Sequence, residues 1–503
     1  MLSIFDQGPF APCPAPFNLA RHVLGAAPRT PDKIALAVLK PTGAQRWSYA
    51  RIEAAVRGTA TGLLQQGLKP GDRLLMRLGN TVDFPIAYLG AITAGIVPIP
   101  TSSQLTAPEV SAIIAHLAPQ AVLRAQDVPC PPTDLPCFDT DTFRGWHDLP
   151  PADYALGDPD RLAYIVMTSG TSGTPRAVGH AHRAIWARQM MMEGWYGLTP
   201  EDRLLHAGAF NWTFTLGTGL MDPWTRGATA LIPAAGTDPA QLGLLMKRND
   251  ATLLAAAPGV YRQLLKAPLA PMPRLRHGLA AGEKLSPAIL EAWRAATGTE
   301  IYEAFGMSEC STFISGAPAR PVGAAHLGRP QQGRRIAILG EDGQPVPRGT
   351  PGQIAIDRSD PGLMLGYVGA PEATQARFRG GWFLTGDHGQ MDEDDRVTYL
   401  GRGDDMMNAG GYRVSPAEVE AALADLPGVT ELAVTDIAVK ADVRVVAAFY
   451  TAPEALDEEA LKAEAATRLA RYKCPRSFIR VEALPRNANG KVIRRALRDH
   501  APG

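Results

Sequence analysis

The 503 residues carry 50 Lys+Arg against 50 Asp+Glu, so the formal net charge is zero, and 46% of the chain is hydrophobic. These values exclude a disordered chain, a fibrous repeat and a disulfide-framed miniprotein. They leave no charge footprint for nucleic acid, and at about 100–200 residues per domain the length implies two to four domains.

In chain order, the N-terminus has no basic stretch followed by an apolar one, so no signal peptide is expected. Residues 33–39 and 72–79 read as strands. Residues 84–108 are uncharged but interrupted by Pro85, Gly90, Gly95, Pro98 and Pro100. That rules out a membrane span and predicts a buried helix over 84–94 running into a buried strand over 96–99. Further apolar runs at 121–125, 162–167, 228–233, 252–258 and 276–283 read as strands, most of them followed by helical patterns, and 275–306 as strand, loop, helix, strand. This alternation predicts an α/β fold, a large N-terminal lobe of α/β subdomains with mainly parallel sheets. Near residue 400 the chain turns rich in Gly, Asp and Asn. Beyond it Ser415 and Glu418 have capping-box spacing, 431–439 and 443–450 read as strands, and 457–469 reads as a helix. A small mobile α+β C-terminal domain over 402–503 is therefore expected after a lobe of residues 1–401. Cys13, Cys130, Cys137, Cys310 and Cys474 are odd in number and form no metal ladder, so unpaired thiols in a reducing cytoplasm are expected.

The strongest local signal is Thr168-Ser169-Gly170-Thr171-Ser172-Gly173-Thr174-Pro175-Arg176, directly after an apolar strand. Glycines let backbone N–H groups wrap an anion, hydroxyls add donors, and Arg176 adds fixed charge. The composition suits a polyphosphate cradle, although a flexible Ser/Thr/Gly loop would read the same way. It is not the GxxxxGK[ST] loop of the P-loop NTPases.

This segment resembles the phosphate loop of the acyl-adenylate-forming (AMP-binding) superfamily, which includes acyl-CoA synthetases, nonribosomal adenylation domains and beetle luciferases. Five further motifs fall in the family's order: Ala281-Gly282-Glu283-Lys284; Tyr302 to Glu309; Trp382 to Asp387; Gly401-Arg402 through Gly411-Tyr412-Arg413; and Pro485 to Lys491. The wording around 404–413 is most similar to medium-chain and aromatic acyl-CoA ligases. The resemblance implies that the nucleotide is bound by residues 168–174, Gly282, Glu283, Lys284, Glu303, Phe305, Gly306, Met307, Ser308, Asp387 and Arg402. Asp387 would accept from the ribose hydroxyls, with Arg402 beside it, and Phe305 would stack on adenine. Lys491, Arg176 and Glu309 would be catalytic. Lys491 would bridge carboxylate and α-phosphate, and Glu309 would also hold Mg²⁺. Asp404 would be the hinge about which the C-terminal domain swings. Gly410, Gly411, Tyr412 and Arg413 would then line a tunnel for coenzyme A. Two departures from the family pattern stand out. Arg176-Ala177 replaces the usual Lys-Gly, and alanine disfavours the positive φ that a glycine there would allow.

The same resemblance places the acyl pocket in the 206–217 segment. His206, Phe210, Trp212 and Phe214 would line it. Gly306, where acetate-activating relatives carry tryptophan, would leave room for an acid larger than acetate. Asn211 replaces the aspartate that pairs with an amino-acid ammonium, so α-amino acids are disfavoured.

The expected activity is ATP-dependent ligation of a carboxylic acid, aromatic (benzoate-like) or medium-chain, to coenzyme A through an acyl-AMP. ATP, Mg²⁺ and coenzyme A are the cofactors, and a small-molecule acid is the partner. No nucleic acid or membrane span is expected, and a homodimer is compatible. The alternative is a stand-alone adenylation enzyme that loads an acyl carrier protein.

Overall fold

The protein is described by a computed structural model covering residues 1–168, 176–282, 284–403, 405, 407–409, 412–440, 443–469, 471, 473–487 and 490–498. Its centre is a nine-stranded sheet. Six strands run parallel, in the spatial order Ile34–Lys40, Thr229–Pro233, Arg203–Ala207, Leu253–Ala256, His277–Ala281 and Glu300–Met307. Antiparallel strands close both flanks. All but Arg203–Ala207 are runs anticipated above. Leu36, Leu205, Leu231, Leu254 and Leu279 are buried completely, as strands covered on both faces require.

A second parallel sheet is built from Val97–Pro100, Arg73–Arg77, Ala121–Arg124 and Cys137–Asp139. The Asp83–Thr93 helix that feeds it is buried on every side, and the strand follows at Val97–Pro100 as expected. Among the described residues no helix is long and apolar enough to cross a membrane. All five cysteines are free thiols.

A six-stranded sheet with antiparallel pairings was not anticipated. It joins Ile4–Asp6 to Arg335–Leu339, Gly352–Asp357, Trp382–Met391, Phe378–Arg379 and Val397–Arg402.

Beyond residue 407 the chain forms its own cores. Glu431–Lys440, Val443–Thr451 and Ser477–Arg480 make a three-stranded sheet. The Pro416–Ala422 and Glu458–Arg468 helices carry Val419 and Leu461 into one core with Met407, Val434 and Phe478. The capping box at Ser415 is only half made. Its hydroxyl accepts from the Glu418 N–H, while the Glu418 carboxylate pairs with Lys473. Described residues of the Gly-, Asp- and Asn-rich stretch after residue 400 also take regular structure. Gly401 and Arg402 belong to the Val397–Arg402 strand, and Met407–Ala409 pairs with Tyr412–Val414. Met407 is the reason, because its side chain is sunk completely into the C-terminal core.

Candidate active site

The Leu162–Thr168 strand does not lead into a helix. It turns back as the antiparallel Arg176–Ala181 strand, with Thr168 opposite Arg176 and Met167 opposite Ala177. Ser169, Gly170, Thr171, Ser172, Gly173 and Thr174 lie outside the described residues. Ala177 sits in this strand, buried, without a positive φ. Glycine's freedom is not needed there, which explains how alanine is tolerated.

The short Gly366–Tyr367 strand pairs with this hairpin and delivers a residue that the motifs did not single out. The Arg176 guanidinium lies 4.9 Å from the centroid of the Tyr367 ring, and the Tyr367 hydroxyl donates to Glu309 Oε1 at 2.7 Å. Burial, and then the neighbouring Glu309 carboxylate, pushes the Tyr367 phenol up to about 12. It therefore remains a donor at neutral pH, and Arg176, Tyr367 and Glu309 form one contact chain.

Gly282 ends the His277–Ala281 strand with φ +98°, and a Cβ built there would lie 3.3 Å from the Trp212 ring. Glu283 lies outside the described residues. Lys284 and Glu303 are brought together, but with each other. Their ion pair spans 3.4 Å, and Lys284 Nζ also donates to the His326 carbonyl. Burial raises the Glu303 pKa against the pull of Lys284. Phe305 sits edge-on to Phe313 and 5.7 Å from Tyr399, and Met307 packs against the main core. The Ser308 carbonyl accepts from His180 Nε2 at 2.7 Å.

Gly306 corrects an expectation. A Cβ there would fall 2.2 Å from the Ser311 carbonyl oxygen and 2.5 Å from Thr312 Cα. The glycine permits the close return of the Ser311–Ser315 strand at a register shift; it does not leave an open wall in an acyl pocket. A Gly306→Trp change would break this hairpin before it could shorten any pocket.

The three rings expected to line an acyl pocket are divided between two cores. Phe210 is buried in the main core and stacks on Phe84, 5.3 Å away. Phe214 stacks on Trp195 in a separate core, where the half-buried Trp212 meets it edge-on. His206 faces that second core. It is fully buried, its ring lies 4.5 Å from Phe214, and neither ring nitrogen has a partner among the described residues. Desolvation lowers its pKa to about 3, so it is neutral at pH 7.

Asp387 lies in the Trp382–Met391 strand opposite Arg402, at 5% exposure. Its carboxylate accepts from the Tyr399 hydroxyl at 2.9 Å and sits 3.6 Å from Arg402 Nη1. Burial raises its pKa. Arg402, Tyr399, Lys491 and Arg377 oppose that shift. Tyr399 is a second residue the motifs missed. Its ring joins Phe305 to Asp387, and its two-residue alternation with Val397 along the Val397–Arg402 strand was the available signal.

Lys491 follows Gly490, whose φ of +84° makes the turn, and the Lys491 N–H donates to Asn487 Oδ1. The side chain is exposed and acts electrostatically on Asp387. The Arg262–Glu431 ion pair, at 2.7 Å, crosses between the units. Asp404, Gly410 and Gly411 lie outside the described residues. So do the side chains of Tyr412 and Arg413, whose backbone is in the Tyr412–Val414 strand.

Glu309 and Asp387 each accept from a phenol, and Arg377 acts electrostatically on both Tyr367 and Asp387, with Arg176 beside the first and Arg402 and Lys491 acting on the second. Such a site can hold a polyanion, orient its hydroxyls and offset charge as it moves.

A model of the AMP-binding enzyme family matches residues 25–368, and one of the AMP-binding enzyme C-terminal domain matches residues 418–491. The mitochondrial acyl-coenzyme A synthetase ACSM5 of Mus musculus is 30% identical, covering 98% of this chain and 92% of its own. The 3-hydroxybenzoate–CoA ligase of Aromatoleum sp. (strain CIB) is 28% identical over 91% of this chain and 92% of its own. Among solved structures, the anthranilate CoA ligase AuaEII in complex with anthranoyl-AMP has a TM-score of 0.88 at 25% identity. The match covers 97% of this chain and 98% of that one.

Proposed function

The chain belongs to the AMP-binding enzyme family, and from that premise we propose that it is an ATP-dependent carboxylic acid:CoA ligase of the AMP-forming kind. A carboxylate oxygen attacks the α-phosphorus of ATP. An O–P bond forms, the bond to the β-phosphate oxygen breaks, and diphosphate leaves with the electron pair. The thiol of coenzyme A, losing its proton, then attacks the acyl carbon, and AMP leaves.

The observation that most supports this reading is the position of Lys491, carried by the C-terminal unit yet acting on Asp387 in the N-terminal lobe. Two anions repel as the carboxylate meets the α-phosphate, so cations and oriented dipoles must offset the repulsion at that point. Lys491 is the cation that can reach it, and Arg176 is held in place by the Tyr367 ring. Asp387, steadied by Tyr399 and Arg402, has acceptor oxygens for ribose hydroxyls, and Phe305 offers a ring beside it.

Glu309 would hold Mg²⁺. Among the described residues no group of three or more His, Cys, Asp or Glu gathers as a cage. One carboxylate completed by phosphate oxygens and water is the donor set that this cation favours. When bound, it would supply neutralisation of phosphate charge.

Thioester formation would follow a swing of the C-terminal unit about Asp404, presenting residues 410–413 to coenzyme A. The acid is aromatic or medium-chain.

The reading is tested by incubating the protein with ATP, Mg²⁺, coenzyme A and a panel of acids. Diphosphate without coenzyme A, and AMP plus acyl-CoA with it, are expected for at least one acid. Diphosphate release followed by transfer only to a carrier protein would overturn the choice of acceptor.

A further inference from the structure

Beneath the hairpin of Leu162–Thr168 and Arg176–Ala181 lies a cavity of about 20 Å³. Its polar lining comes from Tyr164, His180, Arg188, Thr213, Ser308 and Ser311. It has room for about one water-sized group. Ser308 immediately precedes Glu309, so the cavity adjoins the centre where the carboxylate is activated. Thr213 and Leu216 bring in the 206–217 segment, through members other than the aromatic rings first expected there.

Two of these residues are built in at evident cost. Arg188 is buried, and its Nε donates to Asp222 Oδ1 at 2.8 Å. Its Nη2 donates to Asp222 Oδ2 at 2.5 Å, with Tyr196 and Thr218 alongside. Nη1 donates to the Ser311 hydroxyl, which leaves one N–H of Nη1 without a partner among the described residues. Space for the guanidinium depends on Gly217, where a Cβ would lie 2.3 Å from Nη2. Ser311 holds a left-handed φ of +67°, rare outside glycine.

His180 is also buried, stacked on Tyr164 at 4.9 Å. Its Nε2 donates to the Ser308 carbonyl, which makes Nδ1 the acceptor nitrogen, and Nδ1 has no partner among the described residues. Burial lowers the His180 pKa to about 4, so the ring is neutral at pH 7.

Arg188, with a spare donor, and His180, with a spare acceptor, both line this one small space. A halide, an ether or a second carboxylate could accept from Arg188 but would leave Nδ1 unpaired. An alkyl group would satisfy neither. A hydroxyl both accepts and donates. Resting on the ligase reading above, we propose that this cavity is the far end of the acyl pocket and selects a compact aromatic acid bearing a hydroxyl group. The hydroxyl oxygen accepts from Arg188 Nη1, and its hydrogen goes to His180 Nδ1.

The test compares diphosphate release and thioester formation by the full-length enzyme with ATP, Mg²⁺ and coenzyme A. The acids are benzoate, the three hydroxybenzoates, their methyl, chloro and methoxy counterparts, and hexanoate. A site built to bond a hydroxyl rejects analogues lacking it, so one hydroxybenzoate should exceed benzoate and its methyl counterpart by about 100-fold or more in kcat/KM. In His180→Phe, which keeps a ring against Tyr164, that ratio should fall toward one. Should this variant fail to fold, the wild-type ratios decide alone. Equal use of benzoate and hydroxybenzoates, or a preference for hexanoate, would overturn the hydroxyl proposal and leave the ligase standing. No diphosphate from any acid would remove the ligase reading itself.

Discussion

Lys491 stands exposed on a glycine turn of the C-terminal unit, within electrostatic reach of one carboxylate, whereas Arg188 is buried in the N-terminal lobe amid Asp222, Tyr196, Thr218 and Ser311. The difference separates two uses of positive charge. A cation that must meet a short-lived arrangement of anions is kept solvated, where holding it costs little. A cation that shapes a cavity has to be buried, and burial is tolerable only when a counter-charge and several acceptors come with it.

The largest effect should therefore come from breaking the buried pair. Asp222→Ala strands the Arg188 charge and should lower unfolding stability by about 3–5 kcal/mol in urea titrations. A change as small as a surface substitution would erase the contrast. Lys491→Ala should do the reverse. Its unfolding midpoint should stay within about 0.5 kcal/mol of wild type, while acyl-AMP formation falls about 10²–10³-fold. Full-rate adenylation in that variant would remove Lys491 from the mechanism.

The buried histidines sharpen the same contrast with pH. Burial lowers His206 and His182 to about 3, and His180 and His277 to about 4. A depressed histidine pKa means the unfolded chain binds protons first. The stability they support is present above the unfolded value near 6.5 and lost as pH falls below it. Unfolding free energy should fall between pH 6.5 and 4, each such histidine adding up to about 1.4 kcal/mol per pH unit. His206→Leu should flatten that slope by about one proton's share. The smallest effect is expected at Arg262→Ala, which removes the pair with Glu431 between the units. This partly exposed pair is worth about 0–1 kcal/mol, so adenylation should change less than about fivefold.

Much of the fold was legible because its strands are short apolar runs buried on both faces, such as Ile34–Lys40 and Leu253–Ala256. The Pro287–Thr297 helix declares itself through its Ser286 cap and its Gly298 stop. The Arg176–Ala181 strand did not, because a strand carrying Gly179 and His180 has no period to read and depends on Tyr367, far along the chain. Gly306 was misread for a deeper reason. A missing side chain looks the same in a sequence whether its neighbour is a void or a carbonyl oxygen. In the candidate site, the motifs named Asp387, Glu309 and Lys491 but not the phenols that steady the first two. Arg188 was visible as a lone cation in an apolar stretch, but its partner lies 34 residues away, outside any local pattern.

The edge of the six-stranded sheet carries a consequence for how the protein is made. Ser3 donates to the Pro347 carbonyl, 344 residues further on, and Ile4–Asp6 pairs with Arg335–Leu339. At about 5–20 residues per second, the ribosome keeps that early strand waiting for tens of seconds before its partner emerges. A nascent chain stalled within that interval leaves the strand's backbone groups unmatched, so translation speed ahead of residue 335 governs how long the polypeptide depends on chaperones.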